Sequence, residues 1–217
     1  MSRDVAGRGR LITIEGVDGA GKTTLAAALV DALRARGVER VEALREPGGV
    51  VLAERVRALV VDPALRCGPR AEALLYAAAR AQLVEERLDP LLEAGAWVVL
   101  DRFVDSSLAY QGAGRGLGVE EVAALNAFAT GGLEPDRTVL LSVAAAQGRA
   151  RQAGRGGEPD RLEREDAAFF AAVAAGYDAL AAAHPRRVRV VDAGDGPDAV
   201  LVAALEALGD LLDGGSD

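Results

Sequence analysis

Lysine occurs once in this chain, at Lys22, although lysine and arginine together number 25. Every other cation is an arginine. Because Lys22 follows Gly21 rather than an asparagine, no Asn-Lys-x-Asp base reader exists, and a guanine-specific switch is excluded. Cysteine is also single (Cys67, read as an incidental thiol), which rules out an internal disulfide framework and fits a reducing cytoplasm. Aromatic residues make up only 4% of a chain that is 50% hydrophobic, so alanine, valine and leucine must fill the interior, as suits helices packed on a sheet. An excess of positive charge is missing too: a net charge of −8 argues against a basic face for nucleic acid. No apolar run approaches the ~20 residues that span a bilayer. Residues 1–10 are polar and glycine-rich, without the apolar core of a signal peptide. The one histidine, His184 beside Pro185, reads as structural. These absences leave a cytoplasmic protein without membrane or nucleic-acid partners. At 217 residues, one domain with a sizeable core is expected.

What is present centres on GVDGAGKTT, residues Gly16, Val17, Asp18, Gly19, Ala20, Gly21, Lys22, Thr23 and Thr24. The spacing is that of the phosphate-binding loop G-x-x-x-x-G-K-[ST]. A short apolar run, Leu11 to Ile14, precedes it and reads as a buried strand; Leu25 to Leu33 follows and reads as a helix. Strand, glycine loop and helix together form an anion site, because loop N–H groups and the positive end of the helix dipole converge on a polyphosphate. The only lysine stands where a compact point charge fits among amides and a planar guanidinium does not. A dinucleotide-binding G-x-G-x-x-G is absent from this turn.

Along the chain, strands are expected at Val38–Leu44, Trp97–Asp101, Thr138–Val143 and Val188–Val191, with helices at Val50–Val61, Arg70–Glu93, Val119–Thr130, Ala144–Gln152, Leu162–Ala183 and Pro197–Leu212. Pro90 is expected to kink or break the long helix, and Gly112–Gly118 to form a glycine-rich loop. Five strands alternating with helices predict an α/β protein with a doubly wound, five-stranded parallel sheet flanked by helices. The GRGGEPD stretch at 154–160 reads as a mobile flap, giving a lid at about 149–161; tails at about 1–9 and 213–217 are expected to be flexible.

Arginines mark the rest of the site. Arg45 and Arg102 fall at carboxyl ends of strands, where open α/β sheets bind ligands, and Arg80 on a helix facing the same cleft. Arg149, Arg151, Arg155 and Arg161 surround the flap. Two such clusters in an acidic protein point to more than one phosphate group, and a closing lid that carries arginines suits phosphoryl transfer with water excluded. Tyr76 and Arg80, four residues apart, share a helix face. Tyr76 and Tyr110 are two of only three tyrosines, which favours a base pocket over core filling.

GVDGAGKTT, REPGG (45–49), LLYAAARAQ (74–82), DRFVDSSLAYQG (101–112) and DRLE (160–163) together resemble the thymidylate kinase family, in its order and spacing over nearly the whole chain. The resemblance implies the P-loop nucleoside monophosphate kinase fold with a lid, a homodimer, and phosphorylation of dTMP to dTDP with ATP and Mg2+. It implies that Gly16 to Thr24 hold the ATP phosphates, with Lys22 on the β and γ groups and Thr23 on magnesium, arranged with help from Asp101. Asp18 would meet the 3′-hydroxyl, and Arg45 and Arg102 the acceptor phosphate. Tyr76, where the family usually has phenylalanine, would stack on thymine, and Arg80 would face a base carbonyl. Tyr110 would crowd the 2′ position, while Ser106 and Gln111 complete the pocket.

Some positions depart from the family pattern. Gly19 and Ala20 stand where one class carries a loop arginine, which places this chain in the class whose catalytic arginine comes from the lid, Arg155 or Arg151. Phe103 replaces a common tyrosine, and Ser142 a frequent aspartate. A phosphate monoester acceptor is largely ionised at neutral pH, so no general base is required and catalysis reduces to positioning and charge neutralisation. A kinase of the same fold acting on another nucleoside monophosphate, or a regulatory P-loop ATPase, are the alternatives.

Overall fold

The protein, seen in a computed structural model, is described over residues 7–144, 147–148, 150–151, 154, 156 and 159–213. Five parallel strands, β1 (Leu11–Glu15), β2 (Val41–Arg45), β3 (Trp97–Asp101), β4 (Arg137–Ser142) and β5 (Val188–Asp192), form one sheet in the order β2-β3-β1-β4-β5. β1 is central and buried along its whole length. It reads LITIE and is buried on both sides, the polar Thr13 and Glu15 included, because helices cover both faces of the sheet.

On one face Ile12 and Ile14 pack with Leu25, Leu29 and Leu33 of α1 (Lys22–Ala35) and Val200 and Ala204 of α8 (Pro197–Ala207). On the other, Leu11, Val98 and Leu100 meet α2 (Val51–Val61), α3 (Pro69–Leu83) and α4 (Asp89–Glu93). A third cluster joins Leu108 to Tyr110 with Val122 of α6 (Val119–Thr130) and with Phe169, Val173 and Tyr177 of α7 (Ala167–Ala183). Odd-numbered β1 residues share the Leu11 face by the two-residue strand period. That period puts Glu15 beneath the cleft at the carboxyl end of the sheet, where strand order reverses.

Several expectations are corrected. The long helix is not simply kinked at Pro90. α3 passes through a π-helical turn, Val84–Leu88, into α4; the Asp89 N–H donates to Val84 O across five residues, just before the proline that has no N–H to donate. The expected loop at 112–118 is helical as far as Gly114, since α5 (Val104–Ser107) runs on as a π-helical stretch over Leu108–Gly114. Its glycines serve packing: a Cβ on Gly114 would lie 2.8 Å from both Phe169 and Val173 side chains. The helix expected from Leu162 starts at Ala167, because the Asp166 carboxylate caps it by accepting from the Phe169 N–H at 2.8 Å. Before it, Asp160 Oδ1 accepts from the Leu162 and Glu163 N–H groups and closes a turn.

The closing helix also divides at Leu208, before α9 (Gly209–Asp213). Of the helix expected at 144–152, residues 147–148 and 150–151 are helical; the remaining positions from 145 on lie outside the described residues. Residues 1–6 and 214–217 of the expected tails lie outside them too. Gly9, placed in the first tail, is buried and donates its N–H to Leu92 O at 2.8 Å.

Helix α7 crosses the π-helical stretch at Gly176, where a Cβ would meet Ala113 Cβ at 3.0 Å and Ala109 Cα at 3.2 Å. Gly176→Val is expected to lower stability by about 1–3 kcal/mol through overpacking, read from the urea midpoint of unfolding; an unchanged midpoint would show that the helices can part there freely.

Candidate active site

The glycine loop leaves β1 with Gly16, Gly19 and Gly21 all at positive φ (132°, 81° and 97°), which only glycine adopts readily. At Gly19 a Cβ would sit 2.2 Å from the Gly148 carbonyl oxygen, so the packing itself excludes a side chain there. Lys22 is buried in the first turn of α1 and donates to Gly16 O (3.0 Å) and Val17 O (2.9 Å). Burial, with the Arg102 charge adding to it, pushes its ammonium down to about 8. Next to it the Thr23 hydroxyl donates to Asp101 Oδ2 at 2.7 Å.

The loop divides two cavities. Asp18 lines one, together with Tyr76 and Arg80 of α3, Arg102, Tyr110 and Gln111. Gly19, Ala20, Gly21 and Thr24 line the other, with Arg151 and the 193–197 segment after β5.

Arg102 ties the first cavity together. Its Nη2 donates to Asp18 Oδ1 at 2.6 Å, its Nη1 to Ser106 Oγ at 2.9 Å, and its guanidinium carbon lies 5.0 Å from the Tyr110 ring centroid. Tyr110 OH donates to Asp18 Oδ2 at 3.1 Å. Burial pulls Asp18 upward, but the Arg102 and Lys22 charges outweigh it and hold the carboxyl well below the usual range. Among the described residues Arg102 is the only non-glycine at positive φ, 71°. Such a backbone costs about 1–3 kcal/mol and persists only where its surroundings enforce it.

Other expected residues are placed differently. Arg45 does not line the cavity: its Nη2 is held by both Glu54 oxygens (2.9 and 3.1 Å) and its Nη1 by Pro47 O. The same carboxylate accepts the Gly49 N–H, so this pair fixes the turn that follows β2. The cation that α2 presents to the cavity is Arg57.

Arg80 lines the cavity, yet the protein already takes up its whole donor fork. Nε and Nη2 reach Glu46 Oε2 (2.7 and 2.6 Å), Nη1 reaches Ser107 and Asn126, and Nη2 also reaches Phe103 O. The Ser106 hydroxyl lines the cavity but is likewise committed, at 2.5 Å from Glu15 Oε2; the Ser107 hydroxyl, which accepts from Arg80 Nη1, lines it too. Gln111 does line the cavity, its amide donating to Glu72 Oε1 at 2.8 Å.

Of the arginines expected around the lid, Arg149 and Arg155 lie outside the described residues. Arg151, expected near the transferring phosphoryl, donates to Ala193 O at 2.8 Å, and both line the second cavity. Arg161 binds inward: Nη1 is 2.6 Å from Glu72 and Nε donates to Val60 O.

Three carboxylates, Glu15, Glu46 and Glu72, were not foreseen. Each is buried at the cleft and holds an expected site residue: Ser106, Arg80 and Gln111 respectively. The available signals were a lone acid closing an apolar strand for Glu15, and a position one helical turn before Tyr76 for Glu72.

Known proteins resemble this chain over most of its length. The family model described as thymidylate kinase matches residues 14–202. A thymidylate kinase of Lactobacillus delbrueckii subsp. bulgaricus is 50% identical over 201 residues, covering 92% of this chain and 95% of the relative. One from Deinococcus radiodurans is 52% identical over 186 residues, covering 86% and 89%. The crystal structure of thymidylate kinase from Ehrlichia chaffeensis superposes with a TM-score of 0.77 at 29% identity, covering 93% of this chain and 99% of that one.

Burial pushes the Glu15 carboxyl up to about 7 from 4.5; the Asp105 charge adds to this, and Ser106, Arg102 and the Phe103 N–H oppose it. The folded chain thus binds this proton more tightly than the unfolded one. The Glu15 contribution to stability therefore falls as pH rises from about 4.5 to about 7, where the buried group ionises. Thermal melts should show wild type losing ground to Glu15→Gln between about pH 5 and about pH 8. A constant gap would contradict the assignment.

Proposed function

Because the chain belongs to the thymidylate kinase family, we propose that its two cavities hold the two nucleotides of one reaction, ATP beside Gly19 to Thr24 and dTMP beside Asp18, Tyr76 and Arg102. The reaction is phosphorylation of dTMP to dTDP with ATP as donor, a step in dTTP biosynthesis. The observation that carries the site assignment is the loop itself, whose Asp18 faces one cavity and whose Gly19 to Gly21 face the other. Donor and acceptor phosphates then meet at the loop's mouth, where Lys22 and Arg102 concentrate positive charge. Neither a different monophosphate nor a regulatory ATPase has an observation in its favour.

On this reading the chain works by positioning and charge. Main-chain N–H groups of the loop cradle the donor phosphates, and Lys22 offers a single buried ammonium to them. Arg102, oriented by Asp18 and Ser106, meets the acceptor phosphate together with Arg57. Arg45 fixes the turn that places Pro47 on the cavity wall. Tyr76 supplies the aromatic face for the base, with Gln111 and Ser107 as polar readers, and Arg80 stiffens the wall between them. Tyr110, hydrogen-bonded to Asp18, closes the sugar side. Arg151 belongs to the donor's base end, which leaves Arg155 as the lid arginine assigned to the transferring group.

Thr23 and Asp101 form a hard-oxygen pair beside the loop, a donor set that fits Mg2+ sharing its shell with substrate phosphates. When bound, that ion supplies charge neutralisation on the donor phosphates.

Residues 1–217 constitute a single kinase domain, with the lid near 149–161. A homodimer is supported by apolar side chains left exposed on the adjoining helices α2, α3 and α6: Val51, Leu74 and Phe128, the last 89% exposed. No helix among the described residues is long and apolar enough to cross a membrane. Residence in the cytoplasm is part of the same proposal.

A coupled assay with dTMP, dUMP, CMP and AMP in turn is expected to give the highest kcat/KM with dTMP, and Lys22→Ala to reduce turnover by about 100-fold or more. Equal rates with CMP or AMP would overturn the acceptor assignment. Arg57→Ala is expected to raise the dTMP KM about tenfold, the loss of one charge-assisted hydrogen bond, and to do so more than Arg45→Ala. The reverse order would return the phosphate contact to Arg45.

A further inference from the structure

Arg102 holds a backbone conformation that its own side chain disfavours, and the groups that enforce it converge on one buried carboxylate. Glu15 is fully buried at the end of β1, immediately before the glycine loop. Its Oε1 accepts the N–H of Phe103 at 2.7 Å and that of Ser106 at 3.2 Å, so it pins the chain just past the left-handed residue. Its Oε2 lies 2.5 Å from Ser106 Oγ and 3.0 Å from Tyr177 OH. Where Glu15 is ionised, the Ser106 proton is directed at it and the hydroxyl presents a lone pair to Arg102 Nη1 at 2.9 Å. Tyr177 OH stands 3.4 Å from the same Nη1. Backbone and guanidinium of Arg102 are thus both set by a group that reaches neither cavity.

We propose that Glu15 is a positioning residue for the acceptor side of phosphoryl transfer, acting through Arg102. The inference rests on the reading that Arg102 meets the acceptor phosphate. Glu15 sits on the strand that launches the donor loop, yet both of its oxygens face the segment after β3. Its loss should therefore be felt by dTMP and not by ATP. Glu15→Gln suits the test. The amide oxygen still accepts the two backbone N–H groups, while the other end turns from acceptor to donor and removes the acceptor that orients Ser106.

The experiment is a double-mutant cycle of Glu15→Gln and Arg102→Ala, with kcat and KM measured separately for dTMP and ATP. Expected for Glu15→Gln alone is a roughly tenfold loss in kcat/KM for dTMP, with the ATP KM changed less than about twofold. In the Arg102→Ala background the same substitution should change kcat/KM by less than about twofold, because the group it acts through is gone. Full additivity would overturn the proposal and leave the role of Arg102 intact, as would an equal rise in the ATP KM. If Arg102→Ala alone leaves dTMP kinetics unchanged, the acceptor assignment fails and this proposal with it. Should Glu15→Gln fail to fold, Ser106→Ala replaces it, since that change keeps the carboxylate and cuts only the hydroxyl link; the same non-additivity is expected.

Discussion

The contact between Asp18 and Arg102, 2.6 Å from carboxylate to guanidinium, is the interaction on which the site depends. It joins two segments far apart in sequence, the glycine loop after β1 and the turn after β3. Those strands are hydrogen-bonded neighbours, in a register that sets Ile14 beside Asp101. The sheet therefore delivers both ends of the pair to one point without any flexible connection. The loop proposed to bind one anion and the arginine proposed to bind another are thereby held as a unit, which is what transfer between two phosphates requires.

Charge is concentrated at this edge to a degree that the hydrophobic clusters must compensate. Glu15, Lys22, Glu46, Glu72, Arg80 and Asp101 are all buried there. Desolvating paired ions contributes little net stability and often lowers it. The apolar contacts of α1, α2, α3 and α8 with the sheet stabilise the fold, and the polar edge supplies definition. Glu46 illustrates the division: Oε2 takes both Nε and Nη2 of Arg80, while its buried Oε1 has no partner among the described residues.

Much of this was legible in the residues. The glycine loop between an apolar run and a helix, the alternation of strands and helices, and the four-residue spacing of Tyr76 and Arg80 are local signals. Local signals survive folding. Asp18, Arg102, Tyr110 and Gln111 were grouped through family resemblance, and the strand neighbours do bring them to one cavity. What failed was partner choice. Whether Arg45 faces the cavity or Glu54 depends on the path of the turn at 46–49, and Arg57 lines the cavity only because α2 follows that turn in a particular orientation. The helical form of 108–114 was hidden because its glycines read as turn formers, whereas close packing against α7 is what demands them. Glu15 was masked by its strand, since an acid ending an apolar run looks like the first solvated residue of a loop.

Lys22 is both the only lysine and a residue of the first helical turn, buried with its ammonium on two loop carbonyls. A lysine-specific protease consequently has one bond to cut in the whole chain. That bond becomes accessible only when the start of α1 unwinds. The rate at which the native protein is nicked there is a single-site gauge of how often the phosphate cradle comes apart, unobscured by competing cleavage elsewhere.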